Sequence, residues 1–148
     1  MNVERLGSGQ VPAMRDALRV FADAFDEEDT FFSAPPSDEY LRRLLSDPRF
    51  VLLVARIEGK VVGALSAYEL VKYERERSEF YIYDLAVSEA FRRQGVATAL
   101  IEALKPIAKA AGGWVIFVQA DRVDDPAVAL YRKLGAEEEP LHFDIPLD

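Results

Sequence analysis

A short stretch in the second half of the chain carries residues suited to binding an anion. Arg92 and Arg93 stand just before Gly95, between a strand-like apolar run and an amphipathic helical pattern. A strand that passes through a glycine turn into a helix leaves backbone N–H groups unpaired at one point, where the helix dipole adds positive potential. Arginine donates charge-assisted, bidentate hydrogen bonds to phosphate oxygens, and the small Gly95 and Ala97 allow close approach of the backbone. The stretch therefore predicts a phosphate site.

Asp84 is the only charged residue in the otherwise apolar run from Phe80 to Val87. A carboxylate buried there is costly unless it is hydrogen-bonded or has a cationic partner. A substrate amine would be such a partner, and desolvation would raise the pKa of the carboxyl towards a value useful for accepting an ammonium proton. Asp84 is thus our candidate general base. The alternative is a structural aspartate bound to backbone groups, and Glu79 or a carboxylate of the tail could share the role.

The composition narrows the class of protein. The chain has 148 residues, a net charge of −8 and a pI near 4.7, which argue against a nucleic-acid partner and favour cationic ones. It has no cysteine and one histidine, His142, so cysteine-based and histidine-cluster metal sites are excluded. No apolar run approaches the ~20 residues that span a bilayer, and no signal-peptide pattern is present. We expect one cytoplasmic domain, residues 1–148, with no metal and no membrane partner.

Apolar patterning predicts the elements of the first half. Residues 3–6 are strand-like, and helical spacing runs from Val11 to Phe25. The segment 30–36 is expected to be a loop, after which Ser37 caps a second helix. Residues 50–57 and 61–70 flank a turn and predict a hairpin.

In the second half, strands and helices alternate. Residues 79–87 are apolar on both faces, as in a central strand covered on both sides. A helix follows from Arg93 to about Ala110, with a kink expected at Pro106, and residues 114–119 form another buried strand.

The last helix opens with Asp125 as cap and Pro126 in its first turn, and Gly135 ends it. The alternating tail, residues 141–147, is strand-like. This order predicts an α/β, mixed α+β, layered domain: a central mixed, mostly antiparallel sheet flanked by about four helices.

The stretch at Arg92 lacks the Gly-Lys-Ser/Thr ending of a Walker loop and the G-x-G-x-x-G of a dinucleotide fingerprint. Its spacing resembles the Arg/Gln-x-x-Gly-x-Gly/Ala pyrophosphate loop of the GNAT superfamily, the acyl-CoA-dependent N-acyltransferases. Residues 83–88 resemble the strand that carries the pantetheine-binding edge of that family. Residues 124–136 resemble its closing segment, Asn-x-x-Ala-x-x-Leu-Tyr-x-Lys-x-Gly-Phe, except that Asp124 replaces the usual Asn and Ala136 the usual aromatic. The resemblance implies the GNAT fold and acetyl-CoA as cosubstrate.

A closer resemblance covers nearly the whole chain. Residues 78–87, 118–121, 124–131 and 142–145 look like the type I aminoglycoside 3-N-acetyltransferases, GNAT enzymes of antibiotic resistance. This likeness implies acetyl transfer to the 3-amino group of the 2-deoxystreptamine ring by direct attack. It also implies a small cationic aminoglycoside substrate and a homodimer.

The resemblance assigns roles to individual residues. Tyr131 stands at the position of the family's thiolate-protonating tyrosine, with a core aromatic as the alternative. Backbone groups next to a strand bulge are expected to hold the pantetheine. The cofactor-binding candidates are Leu85, Ala86, Val87, Arg92, Arg93, Gln94, Gly95, Val96, Ala97, Thr98, Asp124 and Ala127.

Acceptor recognition is expected from acidic residues, because a negative cleft attracts a polyamine sugar. The substrate-binding candidates are Glu79, Tyr83, Asp84, Asp121, Asp125 and Asp144. The acidic run 26–29 fits a solvated helix end equally well, and His142 is left outside the catalytic set.

Two other functions fit the same residues. The chain could acetylate another small polyamine, a metabolite or a protein amine, which predicts no gain of drug resistance on expression. It could also be a non-catalytic CoA-binding sensor, for which Asp84 and Tyr131 would be dispensable.

Overall fold

A mixed sheet of five strands, in the order β1-β2-β3-β4-β5, lies at the centre of the computed structural model, which describes residues 1–147. Neighbours are antiparallel from β1 to β4, and β5 is parallel to β4. The predicted mixed, mostly antiparallel sheet is therefore confirmed. The strands are β1 (Asn2–Arg5), β2 (Phe50–Ile57), β3 (Lys60–Val71), β4 (Ser78–Val87) and β5 (Gly113–Val118).

Helices cover both faces of the sheet. One core joins the inner sides of α1 and α3 to one face, through residues such as Phe21, Leu41 and Leu52. A second core joins α4 to the other face around Phe80 and Leu100, and part of α5 packs on it. The helices are α1 (Val11–Phe25), α2 (Glu28–Phe32), α3 (Asp38–Ser46), α4 (Val96–Ala110) and α5 (Asp125–Leu134).

The helix ends agree with the sequence at α3 and differ at α4 and α5. The Ser37 hydroxyl accepts a hydrogen bond from the Tyr40 N–H, so this predicted cap is confirmed. Helix α4 begins at Val96 rather than at Arg93, and it continues through Pro106. The cap of α5 is Asp124, whose carboxylate accepts from the N–H of Ala127, so the assignment of the cap to Asp125 was wrong by one residue.

Two further predictions were wrong. The short helix α2, Glu28–Phe32, extends into the segment 30–36, where a loop was expected. Its apolar residues, Phe31 and Phe32, are too few to show helical periodicity. The tail, residues 141–147, forms no strand in the described structure, because its alternating side chains meet no neighbouring strand.

The first turn of α4 lies close against the sheet because Gly63 on β3 has no side chain. A Cβ on Gly63 would come within 2.7 Å of Val96 Cγ1. This contact sets the height of the turn that precedes α4, and with it the position of the predicted phosphate site. In the described residues, no helix is long and apolar enough to cross a membrane.

Candidate active site

Strand β4 carries a bulge beside the candidate base. Its pairing with β3 passes from Ala67 opposite Ile82 to Ser66 opposite Asp84, which leaves Tyr83 as the extra residue. A bulge interrupts the ladder and exposes backbone groups that a regular strand would pair. The Asp84 N–H donates instead to the Ser66 hydroxyl at 3.1 Å.

The bulge also determines on which face of the sheet the Asp84 side chain lies. Before it, Phe80 and Ile82 lie in the core under α4; after it, Leu85 and Val87 pack on that side. Ala86, like Asp84 an even-numbered residue, belongs to the core under α1 and α3. Side chains alternate along a strand, so one extra residue exchanges the two faces. Asp84 consequently lies on the α1 face, beside Tyr83.

A cleft of about 230 Å³ opens on that face between the sheet and the helices α1 to α3. Aliphatic and aromatic side chains form most of its wall, and Ser66 lies beside Asp84. Asp84 is the only acidic or basic residue among the residues that line it. A larger concavity of about 340 Å³ near the start of α1 contains none of the predicted site residues.

Burial raises the pKa of Asp84, and the negative charge of nearby Glu27 raises it further. Both effects disfavour a lone carboxylate and would be relieved by a cation in the cleft. Glu27 lies just after α1, where Asp26 turns the chain with a left-handed φ of 53°. The neighbouring Glu28 is used elsewhere, because it pairs with Arg19 at 2.6 Å. Glu27 is therefore the member of the acidic run that bears on the site.

Tyrosines line the sheet next to Asp84. The Tyr83 ring lies edge-on to Tyr68 and to Tyr81, with centroids 6.0 and 5.8 Å apart. Burial raises the pKa of Tyr68 and of Tyr81, and the negative charges of their neighbours raise both further. Tyr83 itself is mostly exposed, so β4 is not covered on both faces as the sequence predicted. The row offers flat apolar surfaces and phenolic hydroxyls for hydrogen bonds.

A gap separates the ends of β4 and β5. The two strands pair only from Ser78 to Ile82, opposite Gly113 to Val118. Beyond that point, β4 continues to Val87 with β3 as its only partner. The β5-facing edge of Leu85, Ala86 and Val87 is therefore free for an extended ligand, as the resemblance implied for a pantetheine chain.

The predicted phosphate loop has the geometry of an anion nest. Arg93 and Gly95 adopt left-handed conformations, with φ of 61° and 81°. Within the part of the chain that the structure describes, none of the backbone N–H groups of residues 93–98 donates to a protein acceptor. Consecutive free N–H groups at a helix start attract phosphate. Arg92 Nε donates to the Val87 carbonyl at 3.1 Å, which ties the loop to the end of β4.

If the loop binds the pyrophosphate of acetyl-CoA, as the resemblance implies, replacement of Gly95 by alanine should raise the KM for acetyl-CoA about tenfold, which corresponds to a loss of ~1.4 kcal/mol of binding. The added Cβ would meet no protein atom but would stand in the open space of the loop, and the positive φ adds strain. Steady-state kinetics with varied acetyl-CoA measure this change. Gly59→Ala is the matched control, because Gly59 has a φ of 79° and equally open space but lies in the β2–β3 turn. An equal rise in KM for both variants would contradict a role in binding.

Tyr131 lies on the opposite side of the sheet from the cleft, packed against the α4 core. Burial, with a smaller effect of the Asp124 charge, raises the pKa of Tyr131 to about 12. The phenol therefore stays protonated at neutral pH and can donate a hydrogen bond. Because an ordinary thiol has a pKa of about 8.5, full proton transfer from Tyr131 to a thiolate is uphill. Tyr131 lies on the α4 side of the sheet and Asp84 on the cleft side. The gap between β4 and β5 is an opening in the sheet that joins these two sides.

Several predicted residues lie apart from this centre. Glu79 is about 16 Å along β4 from Asp84, and its carboxylate accepts from Trp114 Nε1 at 3.2 Å. Asp121 lies in the exposed turn before α5, and Asp125 is the exposed first residue of that helix. Asp124 and Ala127, both predicted to bind the cofactor, bond to each other in the cap of α5. Asp144 pairs with His142 at 2.9 Å in the exposed tail.

Sequence reasoning missed other residues of the site. Ser66 and Tyr68 on β3 face the cleft, and Glu27 acts on Asp84 from the end of α1. The residues next to these three in the sequence form no motif that would have marked them as part of a site. A strict alternation along β3 would have placed Ser66 and Tyr68 on one face, but only the pairing of β3 with β4 shows that this face is that of Asp84.

The sequence model described as Acetyltransferase (GNAT) family matches residues 16–136. This is most of the chain, and strands β2 to β5, the phosphate loop and the gap between β4 and β5 all lie within the matched range. The chain belongs to the GNAT acetyltransferase family, in which acetyl-CoA is the acetyl donor.

The chain is also similar to solved structures of aminoglycoside acetyltransferases. An aminoglycoside acetyltransferase from an uncultured soil metagenomic sample is 52% identical, with a TM-score of 0.97 over 99% of this chain and 98% of that one. A second, solved in complex with sisomicin, is 36% identical, with a TM-score of 0.92 over 99% and 96%. Among curated proteins, an N-alpha-acetyltransferase of Sulfurisphaera tokodaii is 27% identical over 101 residues, 64% of this chain. The match spans 60% of that relative and 45% of N-acetyltransferase 8B of Rattus norvegicus.

Proposed function

We propose that this protein transfers the acetyl group of acetyl-CoA to an amino group of an aminoglycoside. The position of Asp84 carries the proposal: it is the one ionisable carboxylate in a cleft of aromatic side chains, next to the gap that would admit the donor. A partly desolvated carboxylate among tyrosines suits a cationic amino sugar better than a neutral metabolite. The likeness to two aminoglycoside acetyltransferases supports the same substrate class.

The amine acetylated is proposed to be the 3-amino group of the 2-deoxystreptamine ring. This assignment rests on the resemblance of residues 78–87 and 142–145 to the type I 3-N-acetyltransferases. Asp84 in the cleft and Glu27, whose charge acts on Asp84 from outside the lining, provide two carboxylates, which fits a ring that carries two ammonium groups.

Asp84 accepts a proton from the substrate ammonium, directly or through a water molecule, and so frees the nitrogen lone pair. The raised pKa of Asp84 favours this step, because a more basic carboxylate is a better proton acceptor. The freed nitrogen attacks the thioester carbon of acetyl-CoA, so that a C–N bond forms as the C–S bond breaks, and the nitrogen gives up its second proton to solvent. Tyr131 donates a hydrogen bond to the departing sulfur, and the proton that this thiolate finally takes up can come from solvent.

The donor is held by backbone groups of Leu85 to Val87 along the gap and by the nest at residues 93–98. The residues fit this role on two observations: the free edge of β4 and the undonated N–H groups at the start of α4. Within the described residues, no group of acidic or histidine side chains could hold a metal ion. The proposed chemistry needs only the side chains named above.

Purified protein should acetylate sisomicin with acetyl-CoA, as release of free thiol would show. Mass spectrometry and NMR of the product identify the amine, and acetylation at the 3-position is expected. Spermidine and a peptide with a free N-terminus should react at least about a hundredfold more slowly. Failure to acetylate any deoxystreptamine drug, with turnover of spermidine or the peptide, would assign the site to another amine.

The same activity should confer resistance. Loss of one positive amine weakens the attraction of the drug to ribosomal RNA phosphates. Expression in the cytoplasm of a susceptible bacterium should raise the inhibitory concentration of sisomicin, and expression of the Asp84→Asn variant should not.

A further inference from the structure

The short helix α2 forms part of the wall of the Asp84 cleft although little of it is buried. It has five residues, Glu28–Phe32, and none of them is fully buried. Phe31 lines the cleft and packs beside Phe21 of α1, with ring centroids 6.4 Å apart. So short a helix is not stable by itself, because one turn of hydrogen bonds does not offset the backbone entropy lost in forming it. The position of α2 therefore depends on its contacts with α1.

Two of these contacts converge on one side chain of α1, Arg19. Arg19 Nη1 donates to Glu28 Oε2 at 2.6 Å. The guanidinium carbon of Arg19 also lies 4.0 Å from the centre of the Phe32 ring. A planar guanidinium can stack on an aromatic face and donate a charge-assisted hydrogen bond at the same time. Arg19 thus contacts both the first and the last residue of α2.

The adjacent phenylalanines of α2 differ in what they contact. Consecutive side chains on a helix point in directions about 100° apart. Phe31 packs against the core under α1 and lines the cleft, whereas Phe32 lies against the Arg19 guanidinium and is not among the lining residues. Because the helix is a rigid turn, holding Phe32 also sets the direction of Phe31. A residue outside the cleft thereby determines the shape of its wall.

The contacts of Arg19 lie at the protein surface. The side chains of Arg19 and Glu28 are 49% and 61% exposed. An ion pair so exposed adds little to the stability of the whole fold. The segment that it holds is only one short helix, however, so a small contribution is enough to change the fraction of molecules in which α2 is in place. We therefore expect loss of Arg19 to affect local opening of α2 and not global unfolding.

We propose that Arg19 is a positioning residue for acceptor binding, which holds α2 against α1 and so keeps Phe31 in the wall of the Asp84 cleft. The acceptor part of this inference rests on the proposed function, in which an aminoglycoside lays an apolar ring face against the aromatic wall. The proposed acetyl-CoA site, at the edge of β4 and the loop of residues 93–98, shares no residue with α2. Arg19 should therefore affect binding of the acceptor and not of the donor.

Hydrogen exchange measures the position of α2 without reference to activity. The N–H groups of Phe31 and Ser33 donate to backbone carbonyls within this turn, at 3.2 and 3.0 Å. In the Arg19→Gln variant of the full chain, NMR should show that both amides exchange at least about fivefold faster than in wild type, because the turn opens more often. The far-ultraviolet circular dichroism spectrum and the midpoint of thermal unfolding should stay close to those of wild type.

Asp23→Asn is the matched control for this variant. Asp23 is the other carboxylate beside Arg19, at 3.5 Å, but it lies one turn further along α1 and makes no link to α2. Its loss removes an ion pair from the same guanidinium and should leave the exchange of both amides unchanged. Unaltered exchange in the Arg19 variant, or equal acceleration in both variants, would overturn the proposal.

Steady-state kinetics test the consequence for the acceptor. Arg19→Gln should raise the KM for sisomicin at least about fivefold, while kcat and the KM for acetyl-CoA change less than about twofold. Glu28→Gln should act in the same direction, and the double variant should be no worse than Arg19→Gln alone, because both substitutions break the same link. Asp23→Asn should have wild-type constants.

The two experiments fail in different ways. Multiplied effects of the Arg19 and Glu28 substitutions, or an equal rise in the KM for acetyl-CoA, would overturn the role of Arg19 in acceptor binding. Inactivity of the wild type towards every aminoglycoside would instead contradict the proposed function and leave the exchange measurement valid.

Discussion

Replacement of Asp84 by asparagine is expected to lower kcat by a factor of about 10² to 10⁴, the usual contribution of a general base. Asparagine has the size of aspartate and leaves the bulge, the Ser66 hydrogen bond and the cleft in place, but it cannot accept the ammonium proton. The dissociation constant for acetyl-CoA should change less than about twofold, because the phosphate loop and the edge of β4 are backbone features. Stopped assays of sisomicin acetylation and calorimetric titration with acetyl-CoA measure the two effects.

Asp16→Asn is the matched control for this substitution. Asp16 is an exposed carboxylate on α1 outside the cleft, so its loss removes the same charge from the molecule without touching the site. Turnover by this variant should equal that of the wild type. Unchanged turnover by the Asp84 variant would remove Asp84 from the mechanism and leave it as a structural aspartate.

The pH dependence gives a separate test of the base. The pKa of Asp84 lies above its usual value of about 3.9, because burial and the charge of Glu27 both disfavour ionisation. Activity should therefore fall with acid at a higher pH than an ordinary aspartate would allow. Glu27→Gln should move this acid limb to lower pH, since it removes the repulsion but keeps the burial.

The raised pKa of Asp84 also determines in which direction the free energy of unfolding changes with pH. A carboxyl whose folded pKa exceeds its unfolded pKa binds its proton more tightly in the folded state. The free energy of unfolding should consequently fall as the pH rises from the unfolded pKa through the folded one. Asp84→Asn removes this loss, so the variant should be no less stable than wild type at pH 7, which excludes misfolding as the cause of low turnover.

Replacement of Tyr131 by phenylalanine is expected to lower kcat about 10²-fold, as loss of one hydrogen bond to a developing negative charge typically does. The ring remains packed on the α4 core, and only the hydroxyl is lost. With the pKa of Tyr131 raised to about 12, the wild type should show no loss of activity from ionisation of this group up to a pH of about 10. Initial rates across the pH range, at saturating acetyl-CoA, check both expectations.

Tyr73→Phe removes the same hydroxyl from an exposed position and should have no effect. A basic limb near pH 8 that disappears in the Tyr131 variant would contradict the raised pKa. Equal turnover by wild type and variant would return Tyr131 to the role of a core aromatic, the alternative that the sequence left open.

The sequence predicted those elements of the fold that depend on patterns among residues close together in the chain. The helix from Val11 to Phe25 and the hairpin at Gly59 follow from apolar periodicity and turn chemistry, and both are present. The short helix α2 could not be predicted, because five residues give no helical period. The tail was assigned as a strand from its alternation alone, but a strand also requires a partner, and the described chain offers none at that position.

The geometry of the proposed phosphate loop is determined by the sequence by itself. Gly95 and the turn at residues 92–95 direct backbone N–H groups to one point through local torsion angles, which depend on neighbours in the chain. The position of Asp84, the proposed base, was decided only by the tertiary structure. Strict alternation would place Asp84 under α4 with Phe80 and Ile82; the bulge opposite Ser66 turns it into the cleft instead. A bulge arises from the pairing of two strands, and this long-range register cannot be read from either strand separately.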